Sequence, residues 1–369
     1  MRIEQLLLKN FRNYESLSIL FPSRLTFLLG RNAAGKTNLL EAIGMLSHGK
    51  SFRGASDHDL IRYGSNGYYI KAKYSRAGQK GEMEIATDIS TGDLRRKIKL
   101  NDKAASSRSS IVGEFICVVF SPSDLQIIEG SPADRRKFLD AAISSMEPEY
   151  LQNLIGYQKA LRQRNALLKK IRQRQANIAD LQIWNARLVQ FASQLWSRRE
   201  NFLLSFKEPF RDALEQISGN RDAMNLELQF SHRDDLKESY DKNVVRDLSL
   251  GYTTSGPHRD SLVFLKDGRD IMQFGSQGQK RTAALALRIA QFHHLKQKLK
   301  ITPLLLIDDV IRELDTMRRS AFVKLLRESG QAIFTTPDLD GIDEDLKSLV
   351  SQSSVIHILG DGRVEQSVG

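Results

Sequence analysis

The chain holds a single cysteine, Cys117, among 369 residues, so no disulfide can close within it. That cysteine lies in the apolar run Phe115-Ile-Cys-Val-Val-Phe120, the setting of a small buried strand residue and not of a reactive thiol. No apolar run approaches the roughly 20 residues that cross a bilayer. The stretch Leu6-Leu-Leu8 is too short for a signal peptide, so the expectation is a cytoplasmic protein with no membrane partner. Internal repeats and low-complexity linkers are absent as well. Acid is short relative to base: 44 acidic residues stand against 55 basic ones, a net charge of +11. Such an excess favours a polyanionic partner, nucleic acid foremost. What remains is the profile of a soluble globular protein, 41% hydrophobic and 27% charged, long enough for one large domain with an insertion or for two domains.

Strand signals dominate the first third, at 25–29, 68–74, 82–89 and 115–120, with turn chemistry at Gly64-Ser-Asn-Gly67 and Ala77-Gly78. They imply a mixed sheet. From about residue 132 the pattern becomes helical, returning to strand only near 226–230 and 260–265. Leu154, Tyr157, Leu161, Leu168, Ile171 and Ile178 keep one heptad frame. Leu181, Trp184, Leu188, Phe191, Leu195 and Phe202 keep another, displaced by one residue. The break near 176–180 predicts a helical hairpin, the alternative being one long helix with a stutter. The last stretch repeats α/β logic: helix 277–299, strand 304–307, helix 317–328 and strand 332–335. The organisation expected is therefore an α/β head made of 1–131 and 250–369, with a helical insertion at 132–249.

Gly30-Arg31-Asn32-Ala33-Ala34-Gly35-Lys36-Thr37 fits the phosphate-loop pattern, follows an apolar strand and opens a helical run. Glycines let the backbone wrap phosphates, amides at the helix start donate to them, Lys36 neutralises them and Thr37 holds Mg2+. ATP and Mg2+ are the cofactors implied. Leu304-Leu-Leu-Ile307 runs into Asp308 and Asp309, two carboxylates at a strand's C-terminal end, where open α/β sheets bind ligands. Asp308 is the expected magnesium ligand, and Asp309, with Lys36, the expected catalytic pair. Ser276-Gln-Gly278-Gln279 precedes another helix and offers a second anion site, although by itself it is an ordinary N-cap.

Residues 157–174 carry Lys159, Arg162, Arg164, Lys169, Lys170, Arg172 and Arg174 without one acid, a face suited to DNA phosphates. A merely solvated helix face would interleave glutamates. Arg135 and Arg136 stand at a helix start, where the dipole disfavours cations and an anion or a carboxylate should compensate. His258-Arg259 after Gly256-Pro257 reads as a surface turn, His293-His294 as helix filler without a third metal ligand, and Trp184 and Trp196 as hairpin core.

The order of these motifs, with Leu8-Lys-Asn-Phe-Arg12-Asn-Tyr14, Gly130-Ser-Pro-Ala-Asp-Arg135-Arg136, Ser255-Gly-Pro-His258-Arg259-Asp260 and Glu313-Leu-Asp315, resembles the ABC-type ATPase heads of the SMC class. The resemblance is nearest to the RecF family of bacterial recombination-repair ATPases and covers nearly the whole chain. It departs at Ser123, where the family usually has an acid, and at Arg312, where a small residue is usual. The resemblance implies an ABC/SMC-type P-loop ATPase head whose inserted helices form a short coiled-coil hairpin. It also implies a slow ATPase and an ATP-dependent head-to-tail homodimer on DNA. RecR and RecO would be partners, with RecA placed downstream at gaps and the SOS response supported. Under it Arg12 would touch nucleotide, and Ser276 with Gly278 would cap the γ-phosphate held by the other protomer. The alternatives are a P-loop small-molecule kinase, which has no use for Ser276-Gln-Gly-Gln279, and a transporter's ATPase subunit, which does not explain the acid-free basic stretch.

Overall fold

The computed structural model describes residues 1–233, 235–311, 314–338, 353–360 and 362–367; Arg312 and Glu313 lie outside them. In chain order the strands are β1 (Arg2–Phe11), β2 (Tyr14–Leu20), β3 (Leu25–Leu29), β4 (Tyr69–Arg76), β5 (Gln79–Asp88), β6 (Arg95–Leu100), β7 (Lys103–Ala104) and β8 (Cys117–Phe120). They continue with β9 (Asn225–Gln229), β10 (Ser261–Lys266), β11 (Arg269–Asp270), β12 (Leu304–Asp308), β13 (Ala332–Thr336), β14 (Ser354–Gly360) and β15 (Arg363–Ser367). They build two six-stranded sheets, ordered β2-β1-β4-β5-β6-β7 and β15-β14-β3-β13-β12-β8, and a three-stranded one, β11-β10-β9.

The two large sheets differ because their sequences differ. In β3, β12 and β13 every residue is buried, the mark of parallel strands covered on both faces. Phe27 and Phe334, register partners on β3 and β13, stack at 4.8 Å. In β4 and β5 buried and outward residues alternate, as in an antiparallel sheet with one solvated face. Strands β1, β2 and β6 were not among the expected strands.

The chain forms two compact units. One comprises Met1–Asp124, Asp212–Arg221 and Ala284–Gly369, and holds both large sheets. The other comprises Leu125–Arg211 and Asp222–Ala283. This second unit starts before the expected insertion at 132–249 and runs past its end, taking in Ser276.

Helix Pro148–Arg172 and helix Leu181–Ser218, the latter part of the second unit only as far as Arg211, are joined through a short 3-10 turn, Ile178–Asp180. Arg164 bonds Asn185 at 2.7 Å and Tyr150 bonds Arg199 at 2.9 Å, so the helices run antiparallel in step. The frame break thus marks a hairpin. No helix of the described residues is long and apolar enough to cross a membrane.

Candidate nucleotide-phosphate site and basic hairpin

Helix Lys36–His48 starts directly from the 30–37 loop. Gly35 occupies its cap position at φ 115°, and a Cβ there would fall 2.5 Å from the Asn13 amide. At Gly30 a Cβ would lie 2.2 Å from the Ile358 carbonyl oxygen of β14, so only glycine fits between the loop and that strand. No side chain caps this helix start among the described residues. Lys36 is 6% exposed, and its ammonium donates to the carbonyls of Gly30 at 2.5 Å and Arg31 at 3.1 Å. Arg31, Asn32 and Ala33 are exposed, with Ala33 at φ 64°, while Ala34 and Gly35 are buried.

Strand order brings the second half of the site to this loop. β13 lies between β3 and β12, so the ends of all three parallel strands adjoin. The Thr37 hydroxyl donates to Asp308 Oδ1 at 2.8 Å, and the Thr335 hydroxyl donates to the same oxygen at 2.9 Å. Thr335 in turn accepts the Asp309 N–H at 3.0 Å, pinning a residue whose φ is +52°. A hydroxyl and a carboxylate converging among buried phosphate-loop residues are hard oxygen donors, and they fit a Mg2+ ion.

Three neighbours of the loop went unrecognised in the sequence. Asn13 donates to the Ala34 carbonyl at 3.1 Å and accepts from Asn38 at 2.8 Å, and the Tyr14 hydroxyl donates to the Gly35 carbonyl at 3.0 Å. Burial raises the Tyr14 phenol's pKa, so it stays a donor. Thr335 is the third. Short polar side chains at strand ends have no periodicity, and their only signal was adjacency to strands that converge in space. Arg12, expected at the nucleotide, binds both oxygens of buried Glu41 at 2.9 and 3.0 Å and the Asp59 carbonyl at 2.9 Å. It braces the loop's own helix.

In the second unit, Ser276 is an exposed N-cap in a reciprocal capping box. Its hydroxyl accepts the Gln279 N–H at 3.2 Å, and the Gln279 side chain accepts the Ser276 N–H at 2.9 Å. Half-buried Gly278 sits in that first turn. On the hairpin, Lys159, Arg162, Lys169, Lys170, Arg172 and Arg174 are exposed. Arg164 is not, and its expected DNA contact is corrected here. It is fully buried, pairs with Asp247 at 2.7 Å, donates to Thr253 at 2.8 Å and lies over the Tyr240 ring at 4.6 Å. Helical spacing gives the reason: residue 164 shares its stripe with buried Tyr157, Ala160 and Leu168.

At the expected surface turn His258-Arg259, Arg259 is exposed and His258 half-buried, while the preceding Gly256 and Pro257 are buried. His258 accepts from the Tyr157 hydroxyl at Nδ1, 2.6 Å away, because its Nε2 lies 3.0 Å from the Thr253 carbonyl, which can only accept. Burial pushes this imidazole down to about 4. Arg135 and Arg136 are anchored within the chain. They donate to the carbonyls of Leu262 and Asp260 at 2.9 and 2.6 Å, while Asp134 supplies the acid in the first turn. Trp196 is hairpin core and donates to buried Asp260 at 2.8 Å.

The family model for the RecF/RecN/SMC N terminal domain matches residues 2–348. A relative from Leptospira interrogans, named DNA replication and repair protein RecF, is 44% identical over 367 residues, 99% of each chain. A protein of the same name from Agathobacter rectalis is 36% identical, again over 99% of each chain. A solved structure of the recombination mediator protein RecF with ATP in the RecFOR pathway matches at TM-score 0.90 and 31% identity, covering 100% of this chain and 98% of that one. The Smc head domain from Pyrococcus furiosus shares the fold at TM-score 0.54 and 18% identity, over 100% of this chain and 96% of that one. These matches leave no room for a small-molecule kinase or a transporter subunit. An ATPase-head sheet carrying a phosphate loop, an aspartate pair at its parallel strand ends and a helical hairpin, together with relatives matched from end to end, establishes that this chain belongs to the RecF family of DNA replication and repair proteins.

Proposed function

We propose that the chain binds ATP with Mg2+ at the 30–37 loop, hydrolyses it slowly, and uses the cycle to close a head-to-tail homodimer on DNA in recombinational repair. The observation that carries the proposal is the 2.8 Å bond between Thr37 and Asp308, which unites two distant sequence motifs. Lys36 would neutralise the terminal phosphates, and Thr37 with Asp308 would hold the ion. Bound magnesium supplies charge neutralisation on the phosphoryl oxygens. Asp309 would orient the attacking water. An aspartate reaches less far than a glutamate, and the slow turnover this favours suits the timing of a clamp. In the dimer, the exposed Ser276 and Gly278 helix start of one protomer would face the γ-phosphate held by the other.

The exposed cations of the hairpin would contact DNA phosphates, and the protein would act in the cytoplasm with RecR and RecO to help place RecA at single-stranded gaps. Support comes from the basic composition, from relatives named for replication and repair, and from a matched structure described in the RecFOR pathway. Replacing Lys36 by Met tests the site. Titration calorimetry should show ATP affinity falling at least tenfold, because methionine keeps an unbranched buried side chain but loses the charge, and a melting curve run alongside checks that the fold is kept. Unchanged affinity would remove the loop from the nucleotide site.

A further inference from the structure

The outward face of the first antiparallel sheet carries cations in register. Across β1, β4, β5 and β6 one line of outward residues runs Lys9, Tyr69, Ala86, Lys97. The next runs Leu7, Lys71, Glu84, Lys99, and a third begins Gln5, Lys73, Glu82. The opposite face of the same strands carries core residues Leu8, Ile70, Ile85 and Ile98, so the register is fixed and the lysines cannot turn inward.

The central acids of this face are already engaged. Glu82 and Glu84 bind Lys71 at 2.5 and 3.2 Å, and Lys99 stands 3.5 Å from Glu84. Exposed Lys9, Lys73 and Lys97 form no ion pair among the described residues. Lys71, Glu84 and Lys99 pair opposite charges across strands, and Lys73 faces Glu82 in register. Here the neutral centre is flanked on three sides by cations, with neighbouring strands only about 4.8 Å apart. Lys9 and Lys97 are three strands apart, about 14 Å, and Lys73 lies four residues along from their line, so the three are separate charges and not one merged field.

We infer that this sheet face is a second duplex-DNA contact, separate in sequence from the hairpin. The inference rests on the DNA reading above. Duplex is favoured over single strands because the face's only outward aromatic is half-buried Tyr69, which gives bases little to stack on. Spaced ammonium groups on an exposed sheet face can each meet a phosphate of the dense duplex backbone.

The experiment compares four full-length proteins on one duplex oligonucleotide across a salt series: wild type, Lys9→Gln/Lys73→Gln/Lys97→Gln, the same three sites changed to Arg, and a hairpin variant. The glutamine triple should lower the slope of log affinity against log salt by up to about 2.7, from roughly 0.9 per lost phosphate contact. The arginine version should keep the wild-type slope, and ATP affinity should stay the same in all four. A glutamine triple with wild-type slope and affinity overturns the sheet contact, while a loss shared by the arginine version overturns the charge argument. If wild type itself fails to bind duplex, the DNA reading falls, and that result is distinct from either of the others.

Discussion

Arg164 and Lys170 are both cations of the same helix, and their environments assign them different work. Arg164 is enclosed by Asp247, Asn185 and Thr253, so Arg164→Gln strands a buried carboxylate. Urea denaturation should show a loss of about 3–5 kcal/mol, the usual penalty for breaking a buried pair, whereas Lys170→Gln should stay within about 0.5 kcal/mol. Equal effects would mean that the burial of Arg164 is misread. His258 makes a pH argument at the same scale. The unfolded chain binds a proton at this imidazole below about 6.5, but the folded chain only near 4, so acidification through that window favours unfolding. The contribution is intact above pH 6.5 and declines towards pH 4, by on the order of 3 kcal/mol. His258→Gln should therefore flatten the stability difference between pH 7 and pH 4.5 in denaturant titrations. A difference as steep as that of wild type would place the acid sensitivity elsewhere.

Among the elements, the hairpin carries the clearest prediction. Changing Lys169, Lys170, Arg172 and Arg174 to glutamine should lower the salt slope of DNA affinity by up to about 3.6, with little effect on melting. A slope that stays at the wild-type value would leave these residues as a solvated face. Much of this element was legible beforehand, because two heptad frames offset by one residue require a turn between them. The phosphate loop and Asp308 were legible too, since their chemistry depends on local spacing. Arg164 shows what was not. A charge count along the chain ignores which side of the helix each charge occupies, and the stripe through Tyr157, Ala160 and Leu168 held the answer. Asn13, Tyr14 and Thr335 were illegible for a different reason: strand pairing, not sequence spacing, brings them to the loop.

For the whole molecule, the question is whether one chain suffices for turnover. Lys36 belongs to one compact unit and Ser276 to the other, and the head-to-tail model sets each against its counterpart in a second copy. Lys36→Met and Ser276→Arg proteins should each be inactive alone, yet an equal mixture should regain about a quarter of wild-type ATP hydrolysis, since only mixed dimers hold one complete site. Turnover assays run alongside dimer mass decide it. Mixed dimers without recovered hydrolysis would count against the shared site. The sheet order has a further consequence, which concerns synthesis. β3, which delivers the phosphate loop, emerges among the first 29 residues, but both of its neighbours, β13 and β14, begin only at Ala332 and Ser354. At about 5–20 residues per second the ribosome needs on the order of 15–60 s to supply them. Throughout that interval the hydrophobic strand Leu25–Leu29 has no partner on either edge, and the loop cannot take its nucleotide-binding form. Synthesis must therefore pass through β13 and β14 before the strand that leads into the loop can pair on either edge.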